Sequence, residues 1–266
     1  EQQHWKIFSK MNKLAIARLF LYCTFVQCLN INSKKRSKMK IAKQIFALSL
    51  AAGMVACNNA PEANVQAEDA KQVDESKSAE AVAYAALTDA DEINWRGYKT
   101  YSNSEHTGVI QVSEGEFKVK EGQLVGGEFT IDMNSIQNLD VESDEYRAKL
   151  EGHLKSPDFF HVDSFPTATF VITEVSPAEA GAESGATHNI TGNLTLRGIT
   201  KSITFGAKVS VDDNNVSLSA PKVIIDRSQW NVRFRSTSFA QFADIAKEEA
   251  IDNSIELNLN IQGAKS

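Results

Sequence analysis

The feature of this chain that most limits its fold is a two-residue rhythm. In "SIELNLNIQ", residues 254–262, Ile255, Leu257, Leu259 and Ile261 alternate with Glu256, Asn258, Asn260 and Gln262. In "ITKSITFGAKVSV", residues 199–211, Ile203, Phe205, Ala207, Val209 and Val211 share one face. Phe129, Ile131 and Met133 alternate in the same way with Glu128, Thr130 and Asp132. Successive side chains of a strand point to opposite sides, so this pattern specifies antiparallel strands with one apolar and one wetted face.

Eight such strands are expected, near 94–101, 107–113, 116–120, 124–134, 166–175, 188–197, 201–211 and 216–226, with 254–263 as a ninth or closing strand. Glu-Gly pairs at 114–115 and 121–122 read as hairpin turns. Helix is scarce. Acidic residues crowd the start of 140–154, including Asp140, Glu142, Asp144 and Glu145, while Lys149, His153 and Lys155 sit at its end. That distribution complements a helix dipole. Residues 239–250 are a second helix candidate. The expected fold is therefore all-β. One antiparallel sheet of eight strands closes into a barrel whose interior can hold one small ligand. A β-sandwich or jelly roll gives the same alternation and is the alternative.

One corner stands apart. "LEGHLKSPDFFHVDSFPTATF", residues 150–170, passes from helical spacing to strand alternation and carries Phe159, Phe160, Phe165 and Phe170. Such a cluster serves either as a lid packed on a sheet or as the mouth of a site for an apolar ligand.

The charges are segregated. Residues 1–56 hold ten Lys/Arg and a single acid, whereas 57–266 hold 18 Lys/Arg against 33 Asp/Glu. A body this acidic argues against nucleic acid and against basic-patch docking on anionic lipid. Residues 39–56 combine Lys40 and Lys43 with a short apolar run from Ile45 to Ala52, the pattern of a secretory signal. Residues 1–38, ahead of Met39, are read as an overrun upstream of the true start. The three cysteines are Cys23, Cys28 and Cys57, so the body beyond Cys57 has no disulfide, catalytic thiol or thiolate metal site. "MVAC", ending at Cys57, resembles a bacterial lipoprotein cleavage box, which implies a lipidated Cys57 and a body tethered in the periplasm. Residues 57–90, rich in Ala and acids and poor in aromatics, read as a disordered tether, leaving 91–265 as the folded domain.

Three stretches resemble the YceI-like polyisoprenoid-binding family, in the family's order. The Phe corner resembles its D-x-H-L-x-S-x-x-F-F-D-x-x-x-x-P-x-x-x-F segment. "ITGNLTLRGITKSITF", 190–205, resembles V-x-G-x-L-T-x-x-G-V-T-K-x-x-x-F, and "IIDRSQWNV", 224–232, resembles I-D-R-x-x-W/F-G. Glu151, His161 and Asn231 depart from the pattern. The resemblance implies a lipocalin-like barrel with a short helical lid, and a long isoprenoid or related lipid tail in its bore.

On this reading Phe129, Ile131, Phe170, Ile203, Phe205 and Leu257 line one cavity, with Phe160 at the lid. Trp95, His106 and Trp230 are the rim candidates. Neither a cofactor nor a metal is expected: His153 and His161 lack ligand spacing, and the acids at 140–144 lack the EF-hand register. No catalytic motif occurs, and Asp226 with Arg227 is read as a structural ion pair. An interaction or adhesion lipoprotein with a filled core, and a hydrolase on a β scaffold, are the competing functions. A homodimer is left open.

Overall fold

The computed structural model describes residues 60–88, 92–179 and 185–266. The overrun, the signal segment and Cys57 lie outside the described residues.

Among the described residues, ten strands form one antiparallel sheet. They are β1 (Glu68–Asp69), β2 (Val82–Ala86), β3 (Glu92–Lys99), β4 (Glu105–Lys120), β5 (Gln123–Asn138), β6 (Thr167–Pro177), β7 (His188–Leu196), β8 (Ile199–Val211), β9 (Asn215–Asp226) and β10 (Ile251–Lys265). Strands β3 to β10 each pair with the next, and β10 returns to β3, so eight strands close a barrel. Closure removes the edges that an open sheet would expose. The apolar faces named from the sequence point inward: Ile131, Met133, Ile203, Phe205, Ala207 and Ile261 are buried in one core.

The turns explain the register. Glu121 and Gly122 have φ of 52° and 75°, and Arg197 and Gly198 have φ of 50° and 72°. Both pairs meet the left-handed demand of a tight hairpin turn. The other Glu-Gly pair makes no turn. β4 continues through Ser113–Gly115 with a register shift against β5, and Gly115 there makes room for the Phe129 ring, which a β-carbon would strike. Two expected strands are thus one bulged strand.

The N-terminal stretch corrects the sequence reading more deeply. Residues 60–88 do not form a free tether. β2 and β3 share one place in the barrel wall: β3 pairs with the first half of β4, and β2 with the second. Tyr84 is buried, and its hydroxyl donates to the Asp212 carbonyl at 3.2 Å. Upstream, β8 and β9 pair only through Lys208–Val211 and Val216–Ser219. Beyond that point β1 pairs with Lys201 and Ser202. Asn64 brackets β9, accepting from the Ile224 N–H at 2.9 Å and donating to the Lys222 carbonyl at 2.8 Å. Val65 reaches the core through the gap. The acidic composition failed to register this because a strap needs only a few anchoring side chains.

Helix α1 (Asp144–Lys155) is capped by Ser143, with Asp144 and Glu145 in its first turn and His153 and Lys155 in its last. It crosses the barrel end that holds the β3–β4 and β7–β8 turns. Residues 239–250 form no α-helix; they make two short 3-10 turns, Ala240–Phe242 and Lys247–Glu249.

Candidate functional site

Beneath α1 the barrel contains a cavity of about 220 Å³. Strands β5, β6 and β7 contribute Ile131, Met133, Ala168 and Leu194 to its wall, and β9 and β10 contribute Ile225, Ile255 and Leu257. Ile93 and Trp95 of β3 complete the sides, while Leu150 and Leu154 of the helix, with Phe159 and Phe160, form the roof. None of the helix residues is fully buried, because its inner face meets this space instead of packed core. The wall is carbon almost throughout.

The polar residues at its edge are engaged with one another. His106 Nδ1 lies 2.9 Å from Asp140 Oδ2. Asp140 also accepts from the backbone N–H of Thr107 and from Asn138 Nδ2, both at 2.6 Å. Tyr98 donates to Glu256 at 2.9 Å; its burial and that carboxylate push the phenol up to about 12. The Trp95 indole donates to the Val109 carbonyl at 3.1 Å, so only its ring faces the cavity.

Arg227 and Asp226 make no direct salt bridge, although the Asp226 carboxylate favours the charged guanidinium through space. Its guanidinium donates to four main-chain carbonyls, those of Asp252, Val232, Phe234 and Ile251, at 2.7–3.1 Å. Asp226 instead caps the following turn by accepting from the Ser228 N–H. Burial pulls the Arg227 pKa down to about 10, which still leaves it cationic at neutral pH. Its role is to tie the chain between β9 and β10 to the barrel end. Arg197 does the same for the Phe corner, donating to the carbonyls of Pro157, Phe159 and Asn231.

Of the residues named from the sequence, Ile131, Phe160, Trp95, His106 and Leu257 border the cavity. Phe129, Phe170, Ile203, Phe205 and Trp230 do not. Phe129 packs edge-on against Phe117 at 4.8 Å, and Phe170 lies 5.7 Å from Phe205. These rings and Ile203 belong to the core that fills the far half of the bore. Trp230 is fully buried, its indole donating to the Leu194 carbonyl, so it is a wall residue and not part of the rim. Alternation reports which face is inward but not how far along the axis the bore stays open. Leu150 and Leu154 stand four residues apart on α1, and nothing in that spacing marks them as roof. Tyr146, one turn earlier, is exposed.

Comparison with known proteins follows the same stretch of chain. Residues 84–263 match the YceI-like domain model. A UPF0312 protein of Pseudomonas aeruginosa is 44% identical over 80 residues, 30% of this chain and 35% of its own length. The UPF0312 protein of Enterobacter sp. is 41% identical over 102 residues, 38% of this chain and 47% of its own. The matched stretches thus cover less than half the length of these curated relatives. Among solved structures, Burkholderia cenocepacia BcnA is 18% identical with a TM-score of 0.48, over 66% of this chain and 98% of that one. A polyisoprenoid binding domain from Saccharophagus degradans is 13% identical with a TM-score of 0.48, over 70% and 99%.

Proposed function

The chain belongs to the YceI-like domain family, and we propose that it is a binding protein that holds the tail of an isoprenoid or other long-chain lipid in its barrel. The observation that carries this reading is the carbon-walled cavity beneath α1. Burial of a hydrocarbon tail contributes roughly 25 cal/mol per Å² and needs no directional partner. The head group would stay at the rim, where Lys99, Glu105 and His106 stand. Polar groups already bonded to one another favour holding over chemistry. The polyisoprenoid named for the Saccharophagus domain supports the choice of ligand class.

The same reading places the protein in the cell envelope, tethered in the periplasm through a lipidated Cys57. Its support is the lone cysteine after an apolar run and Ala56.

Native mass spectrometry of the purified protein, followed by organic extraction, tests the ligand. A bound lipid is the expected result; a homogeneous ligand-free mass together with no uptake of prenols would remove the carrier reading. For the anchor, Cys57→Ser should leave unprocessed or released protein. A variant that still fractionates with membrane as the wild type does would end the tether proposal.

A further inference from the structure

The cavity ends abruptly. On β5, Ile131 lines it, but the next inward residue, Phe129, does not; on β6 the same holds for Ala168 and Phe170. Phe117, Phe129, Phe170 and Phe205 lie beyond its end instead, in the ring pairs Phe117–Phe129 and Phe170–Phe205, with Phe129 and Phe170 opposite each other on β5 and β6. Two of these rings are seated on glycines of neighbouring strands. A β-carbon at Gly192 would collide with the Phe170 ring, and one at Gly115 with the Phe129 ring. Glycine lets each ring pack closely on the backbone of the neighbouring strand, inside the barrel wall. The rings are backed by Ile172, Ile190, Val216 and Ile261, all buried.

A dry cavity of about 150 Å³ accepts one benzene, which has six carbons. By that scale 220 Å³ accepts roughly nine carbons, or just under two isoprene units. We infer that the aromatic layer of Phe117, Phe129, Phe170 and Phe205 is a length stop: it limits this barrel to the last two isoprene units or so of a tail and leaves the remainder of a longer chain outside. The inference rests on the lipid-binding reading above and adds a specificity to it. The rings determine how much of the tail is buried, and therefore which tail lengths the protein can distinguish.

The test is a binding series on the full-length protein with isoprenol, geraniol and farnesol, read by calorimetry. Affinity should rise tenfold or more from isoprenol to geraniol and by less than threefold from geraniol to farnesol. Phe170→Ala should restore a tenfold or greater gain at the second step. Phe205→Leu, a milder change that keeps an apolar side chain, should give a smaller gain in the same direction and covers the case in which Phe170→Ala does not fold. A wild-type affinity that climbs equally at both steps would overturn the length stop while leaving lipid binding intact. An unchanged plateau in the folded variants would do the same. Binding of none of the three prenols would overturn the lipid-binding reading itself, and the length stop with it.

Discussion

At the scale of single residues, the four phenylalanines of the corner have separate tasks. Phe159 is 6% exposed and packs against His153 and Phe234, with the Arg227 guanidinium 5.7 Å from its ring. Phe160 is half-buried and faces the cavity. Phe165 covers Gly198 at the β7–β8 turn, and Phe170 lies in the aromatic layer. Phe159→Ala should therefore cost about 3–5 kcal/mol, the range for deleting a buried aromatic. Phe160→Ala should cost clearly less and should weaken prenol binding instead. Urea midpoints and prenol titrations of the two variants check this; equal losses of stability would show that Phe160 is core and not roof. Asp140 contributes a pH dependence to stability. Burial alone would raise its carboxyl, but the Thr107 N–H, His106 and Asn138 outweigh it and hold the group below its ordinary value. A carboxylate depressed on folding stabilises fully above its unfolded pKa and loses that contribution as pH falls through its folded one. Asp140→Asn should thus lower the urea midpoint at neutral pH, and the gap from wild type should close below the ordinary carboxylate value of 3.8. A gap that persists undiminished in acid would assign the effect to shape and not to charge.

At the scale of elements, the barrel strands were legible because each repeats its signal over many residues. β8 spans 13 residues and β10 spans 15. β4 was misread as two strands because a glycine that receives a neighbouring ring looks, in sequence, like a glycine that makes a turn. The N-terminal strap was illegible for a different reason. Its attachment depends on single residues: Asn64 against β9, Val65 in the gap, and Asn193 holding both the N–H and the carbonyl of Lys71 at 2.7–2.9 Å. No periodicity accompanies such contacts. The strap nevertheless covers the place where β8 and β9 part. Asn64→Ala removes two hydrogen bonds and should lower stability by about 1–2 kcal/mol. Amide exchange at Ile224 should accelerate in parallel. Unchanged exchange there would mean that the barrel closes without the strap.

At the scale of the whole molecule, the barrel divides into a packed half and an open half, and the two expectations drawn from the sequence each describe one of them. The aromatic layer and the aliphatic residues behind it form a filled core, while the end beneath α1 keeps its space. This division explains how a lidded barrel stays stable with a void at one end: the far half supplies the tightly packed contacts, and the helix contributes no buried residue of its own. Stability and binding should therefore be separable by mutation. A ligand that binds only the folded state stabilises it by about 2.7 kcal/mol at a hundred times its dissociation constant, which for a domain of this size raises the melting temperature by roughly 5–10 °C. Geraniol should produce a shift of that order in the wild type. Leu154→Asn replaces a partly buried roof residue that packs against the core with a polar one of similar size, so it should cost about 1 kcal/mol and lower the ligand-free melting temperature by about 2–4 °C. It should remove most of the geraniol-induced shift, because an amide facing a carbon-lined wall must be desolvated without a partner. A full shift retained in Leu154→Asn would place the prenol outside the cavity beneath α1.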